Sequence, residues 1–368
     1  MAGYNKMVND GEYEGKAGEE PTRVKEHFNY DDLGTIDAEQ TQSAIDYIME
    51  HHGDDKPFFM DINFMKFHNP NVPSAEFIGK SKQGIYYDAL MEVDHYVGQI
   101  LDTIRELGID DNTIVLYTSD NGPWIDAAPD AGYTPFRGMK GTAYEGGFRV
   151  PTFLWAPGLI EAGSVEKGII CHQDVWATLA GLAGIDTPPA GPGEDGDGNP
   201  IYFDGIDQSD YLTRKSEVSP RTQFEYILST SLGGVRVADW KFHFTLDDAW
   251  LGPTLQLSYP AVYNLKMDPG EEYDRFFGGA AATTANGALQ TSPGRWVGAD
   301  STWTLAAASV VIENLNKTFQ DFPNVPIVPG GSTIGADVPS FHTAKVFDGE
   351  WPGSDGIHHA AKDMTLDK

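Results

Sequence analysis

The clearest periodic stretch of the chain lies between residues 84 and 107. Leu90, Val93, Val97, Ile100, Leu101, Ile104 and Leu107 recur there at spacings of three and four. One face of an α-helix has that period, and Gly108 is a residue that a helix C-terminus favours. A shorter stripe, Ala44, Ile45, Ile48 and Met49, predicts a helix that begins near Asp37 and stops at Gly53. Asp37 followed by Gln40 is the pattern of a reciprocal cap for that start. Two apolar runs, Phe58–Met65 after Pro57 and Thr113–Thr118, are too short for helices and read as buried strands. Val150–Trp155 predicts a further strand and Asp174–Gly184 a further helix.

Helix, strand, helix, strand is the rhythm of βαβ units. It predicts an α/β fold with a largely parallel central sheet flanked by helices. From about residue 222 the pattern changes to short strand-like runs, FEYILST, GGVRVADWKFHF and AVYNLKMD. These predict a small C-terminal antiparallel sheet, accompanied by a helix over Leu305–Phe319. The expected organisation is an irregular segment 1–36, an α/β core 37–221, an α+β subdomain 222–330 and an irregular tail 331–368. Residues 186–200 are rich in Pro, Gly and Asp and read as a loop. Asp195, Asp197 and Asn199 alternate there like part of a calcium loop of the EF-hand type. Pro200 stands where that loop needs Gly, and Ile206 where it needs its final Glu, which argues against the assignment.

Ligands of parallel sheets bind at the carboxyl ends of strands. The pattern therefore places His68 and the pair Asp120-Asn121 on the functional edge, each just after a predicted strand. Asp120 and Asn121 supply a carboxylate and a carbonyl oxygen, ligands that calcium or magnesium takes. Asp-Asn-Gly-Pro is equally good turn chemistry, so both readings stand. Lys140, between Gly138 and Gly141, can reach an anion or be a solvated loop lysine. His68 can donate a proton to an ester oxygen or be structural. Cys171 is the single cysteine, which rules out an intramolecular disulfide; its apolar neighbours suggest an inert thiol.

Charge narrows the partners. The chain carries 25 basic and 55 acidic residues, a net −30. Such a surface repels nucleic acid and anionic membrane, so any sulfate or phosphate site must be positive locally. No stretch approaches the ~20 apolar residues of a membrane span. The N-terminal residues contain no apolar signal region, so the chain reads as soluble with its location open. Asn316-Lys317-Thr318 is a formal glycosylation sequon that carries little weight without one.

Three segments in order, PFFMDINFMKFH, NTIVLYTSDNG and GMKGTAYEGGFRVP, resemble those of the arylsulfatases in the alkaline-phosphatase superfamily. The likeness runs from about residue 30 to about residue 325. It implies that His68 is an active-site histidine, that Asp120 and Asn121 are calcium ligands, and that Lys140 binds the sulfate. The implied ligand is a sulfate ester or another small anion. Family members are often periplasmic, lysosomal or secreted. The family also carries a C-x-P-x-R or S-x-P-x-R motif whose Cys or Ser becomes formylglycine, and this sequence contains neither. The N-terminal Asp pair that completes the family's calcium site is also not found. The expectation is a sulfate-ester hydrolase whose chain is truncated, with turnover by it alone in doubt. With so few ligands calcium would bind weakly. Uncovered sheet edges would favour homo-oligomerisation. The alternatives are a non-catalytic remnant that binds an anion or a partner, and a related metal-dependent phosphoesterase. Against the latter, its D-x-H…H ligand set is not seen.

Overall fold

The computed structural model describes residues 12–15, 20–25, 29, 31–66, 68–196, 198–228, 231–247, 249–275 and 304–322. The chain divides into two compact units. The first holds residues 1–116, 123–133 and 154–158; the second holds 117–122, 134–153 and 159–368.

In the first unit, β1 (Glu12–Glu14) and β2 (Thr22–Lys25) form a short antiparallel hairpin inside the segment expected to be irregular. Helices α1 (Ile36–His51) and α2 (Ile85–Glu106) pack together. Their contact draws on both predicted stripes: Ile48 meets Ile100 and Ile104, with Ile45 and Leu107 at the margin, while Leu90 and Met49 of the same stripes are exposed. Gly108 follows α2 with φ of 65°, the left-handed conformation that glycine adopts without strain. Asp37 does not cap α1. The helix begins at Ile36, and Asp37 is wholly buried one residue inside it. Its two carboxylate oxygens accept the backbone N–H groups of Met65 (2.8 Å) and Lys66 (3.0 Å) instead.

The run Phe58–Met65 departs from its predicted strand. Its even-numbered members Phe58, Met60, Ile62 and Phe64 pack on the α1–α2 core, while Phe59 is 79% exposed and Met65 44%. The alternation is that of an extended chain. No neighbouring strand pairs with it among the described residues, so it is not part of a sheet. The strand expected at 113–118 survives as β3 (Val115–Tyr117), which pairs with β4 (Phe153–Trp155). Among the described residues the large parallel sheet is therefore not seen: period-two burial formed, but ladder hydrogen bonding did not follow from it.

The second unit is built around an antiparallel sheet in the order β10-β9-β8-β7. Before it come a short helix α3 (Glu145–Phe148), α4 (Val175–Leu182), the hairpin β5 (Gly191–Glu194) and β6 (Pro200–Phe203), and α5 (Ser209–Leu212). That hairpin occupies the stretch expected to be a loop. The sheet strands are β7 (Gln223–Leu228), β8 (Ser231–Val237), β9 (Trp240–Asp247) and β10 (Thr254–Asn264). Helix α6 (Thr304–Asp321) covers one face, with Ala308 and Val311 against Val235, Phe242, Phe244 and Val262. This agrees with the expected antiparallel sheet and helix. The run GGVRVADWKFHF is two strands rather than one, turned at Ala238, whose φ is 51°.

Candidate active site

The residues proposed from sequence fall in both units. His68 is in the first, where it is exposed just beyond the extended run. Its Nδ1 lies 2.9 Å from the Asn69 carbonyl oxygen. A proton on Nδ1 satisfies that carbonyl and leaves Nε2 as the free acceptor. The backbone leading to His68 is fixed by a buried ion cluster. Lys66 Nζ lies 3.4 Å from Asp37 and 3.3 Å from Glu92, all three side chains being almost fully buried. Glu92 also accepts the Ser74 N–H (2.9 Å) and the Tyr96 hydroxyl (2.6 Å).

Asp120, Asn121 and Lys140 all belong to the second unit. Asp120 is exposed, and one of its oxygens accepts the Asn121 N–H at 2.9 Å. The Asn121 amide nitrogen donates to the Gly122 carbonyl at 2.9 Å, so its own carbonyl oxygen is directed elsewhere. Gly122 is the joint between this turn and the lysine loop. Its N–H donates to Gly147 O at 3.0 Å, and a Cβ on it would stand 1.8 Å from Gly146 O. Only glycine permits that approach. The lysine loop is itself tight. Gly146 N–H donates to Arg137 O (2.7 Å), and the Thr142 hydroxyl bonds Met139 O (2.8 Å), across a turn flanked by Gly138 and Gly141 at φ of 83° and 81°. Among the described residues no ion pair involves the Lys140 amine, which sits 4.9 Å from the centre of the Trp250 ring.

Beneath this loop lies a buried charged cluster that the motif reading does not anticipate. Glu145 takes the Lys241 amine (2.9 Å) and the Tyr226 hydroxyl (2.6 Å) on one oxygen and Arg149 (2.8 Å) on the other. Glu271 takes Lys241 (2.9 Å) and His243 Nε2 (2.6 Å) on one oxygen, and the Glu145 backbone N–H (2.7 Å) on the other. Arg137 donates to the Glu271 carbonyl at 2.7 Å. Burial opposes the charge of Glu271, but Lys241 and His243 outweigh it and hold its carboxyl down at about 2. Burial likewise opposes ionisation of Glu145, and Lys241 leaves its carboxyl below the ordinary range. Burial and then Lys241 push His243 below the usual imidazole value, so it is neutral near pH 7. Both ends of the Lys140 loop are thereby tied to Glu271, through its backbone carbonyl at Arg137 and its buried carboxylate at Glu145.

Sequence alternation hides this cluster. Strand β9 reads Lys-Phe-His-Phe-Thr-Leu-Asp, a solvent-facing polar row by the usual rule, yet every one of those residues is buried. Cys171 conforms to expectation, since burial and the neighbouring Asp174 push its thiol up to about 11. Asp174 belongs to Arg221, which holds it at 2.6 Å.

As oxygen donors, the Asp120 carboxylate and Asn121 carbonyl fit a hard cation. They are two ligands, and no group of three His, Cys, Asp or Glu side chains suited to a metal occurs among the described residues. Water would fill the remaining positions. The calcium-loop motif stays dismissed; its Asp197 lies outside the described residues, and Asp195 bonds Asn199.

A family model described as Sulfatase matches residues 3–185. The chain is 32% identical over 260 residues to N-acetylgalactosamine-6-sulfatase of Mus musculus, covering 64% of this chain and 48% of that one. It is 31% identical over 269 residues to arylsulfatase A of Homo sapiens, covering 68% and 50%. The chain thus spans about half the length of these relatives. Among solved structures, PsFucS1 sulfatase from Pseudoalteromonas sp. superposes with a TM-score of 0.72 at 28% identity, covering 86% of this chain and 59% of that one. The fold is of the alkaline-phosphatase-like α/β class. Within that class, the chain belongs to the sulfatase family.

Proposed function

We propose that this chain supplies the sulfate-binding and cation-binding part of a sulfate-ester hydrolase. One observation carries the reading: Gly122 fastens the Asp120-Asn121 turn onto the loop that presents Lys140. A cation donor pair and a lysine with no ion pair among the described residues are then joined through one backbone contact, in a chain whose net charge of −30 would otherwise repel an anion. Family membership and the names of the relatives support the same chemistry.

In this reading Lys140 binds the sulfate oxygens and offsets the charge that develops on them. Asp120 and Asn121 would hold a calcium ion, which when bound would polarise the same group. His68, when it carries a proton on Nε2 as well as on Nδ1, donates that proton to the departing oxygen. The attacking group has no counterpart in the motifs of this sequence, and these three roles do not depend on its identity. The relatives' names favour a sulfate carried on an aryl or sugar ring. The test is hydrolysis of an aryl sulfate with calcium present, together with calorimetric titration of inorganic sulfate. Lys140→Ala is expected to lower kcat/KM about a hundredfold and to weaken sulfate binding. His68→Ala should reduce kcat while leaving sulfate affinity unchanged. Turnover and binding that survive both substitutions would refute the roles.

A further inference from the structure

Trp250 has no place in the motif reading, yet it is seated against the lysine loop. It follows β9 at the tip of the β9–β10 hairpin. Its side chain lies over Gly141, so closely that a Cβ on that glycine would stand 2.0 Å from the indole Cδ1. The same ring has its centre 4.9 Å from the Lys140 amine. Gly141 thus does two things: its φ of 81° makes the turn, and its missing side chain makes room for the indole. The ring is fixed to the backbone beside Lys140 and is still 41% exposed, with Leu251 next to it at 79%.

We infer that Trp250 is the platform for the organic ring of the sulfate ester, and so a specificity-determining residue. The inference rests on Lys140 binding the sulfate. The geometry then follows from chemistry. A sulfate held by the Lys140 amine at hydrogen-bond distance carries its organic group one S–O–C linkage away. That is the space beside the lysine, where the indole offers an apolar, π-rich surface to the C–H face of a sugar or to an aryl ring. The ligand favoured is a sulfated cyclic group rather than a sulfated chain alcohol. A rival role would make Trp250 only a cation–π support for Lys140. The two differ in what loss of the ring does to free sulfate.

The experiment compares inorganic sulfate with a sulfated monosaccharide and an alkyl sulfate, titrated calorimetrically into the whole chain. Saturation-transfer NMR on the sugar provides a second readout. Trp250→Ala is expected to weaken the sulfated sugar about tenfold, with inorganic and alkyl sulfate changing less than about twofold. Trp250→Phe should recover most of the loss. In saturation transfer the sugar C–H protons should be strongly enhanced in the wild type and lose that enhancement in Trp250→Ala. Equal weakening of all three ligands would overturn the platform and leave the lysine support in its place. Unchanged binding of all three would also overturn it. If the wild type bound no sulfate at all, the reading of Lys140 itself would fail, an outcome distinct from both.

Discussion

The molecule buries a lysine between two carboxylates twice, and the two clusters are compensated differently. In the first unit, Lys66 stands between Asp37 and Glu92, and both acids also accept backbone N–H groups, from Met65, Lys66 and Ser74. In the second, Lys241 bridges Glu145 and Glu271, and the balance comes mainly from side chains, Arg149, Tyr226 and His243. Backbone donors survive a side-chain substitution, whereas bridging cations do not. The first cluster is therefore a splint for the chain leading to His68, while the second is a keystone under the Lys140 loop. Buried ion pairs are weak evidence for stability as such, but breaking one strands a charge.

The largest effect should come from removing the keystone. Lys241→Met leaves Glu145 and Glu271 with no cation between them, Glu145 keeping Arg149 on its outer oxygen, at an expected cost of about 3–5 kcal/mol in denaturant unfolding. The acid limb of stability comes next. His243 is held below its usual 6.5 and Glu271 is held at about 2 against 4.5. Both groups bind protons more readily when unfolded, so stability is present at neutral pH and erodes as pH falls, first below 6.5 and then from 4.5 towards 2. Glu271→Gln should flatten the lower part of that curve, a loss on the order of 3 kcal/mol in the pH-dependent term. If the acid limb is unchanged in that variant, the keystone is not where the linkage lies.

Lys66→Met sharpens the comparison directly. Asp37 and Glu92 keep their backbone donors, so the cost should be smaller than for Lys241→Met, about 2 kcal/mol by the same unfolding measurement. Equal losses for the two variants would erase the distinction. Gly122→Ala, whose Cβ meets the Gly146 carbonyl, should cost a similar amount, about 2 kcal/mol, and should lower calcium and sulfate affinity together because it separates the two loops. Arg149→Gln removes a half-exposed partner of Glu145 and should cost no more than about 0.5 kcal/mol.

Much of the local structure was legible in the chain. The stripe ending at Gly108 specified α2 and its partner face, and the short alternating runs after residue 222 specified the antiparallel sheet. Asp120, Asn121 and Lys140 stand out in the sequence by their glycine-rich context, and the structure joins their two loops at Gly122. Three things were not legible, each for a physical reason. Period-two burial in Phe58–Met65 reports which side faces the core, but not whether a neighbouring strand supplies hydrogen bonds. Asp37 had the sequence of a cap, and a long-range competition for its carboxylate won, since Met65 and Lys66 offer two N–H donors. The burial of the polar row of β9 has no sequence signal, because alternation says nothing of acids arriving from residues 145 and 271. Trp250 lacked any signal, because its contact with Gly141 spans more than a hundred residues of sequence.

The central claim is that the loop carrying Lys140 and the turn carrying Asp120 and Asn121 form one anion-binding module. The most direct measurement is the affinity of the wild-type chain for inorganic sulfate at fixed ionic strength, with and without calcium, beside Lys140→Ala. The account predicts saturable binding of one sulfate, strengthened by calcium and weakened at least about tenfold in the variant. Sulfate affinity that is the same in wild type and variant, and indifferent to calcium, would contradict it.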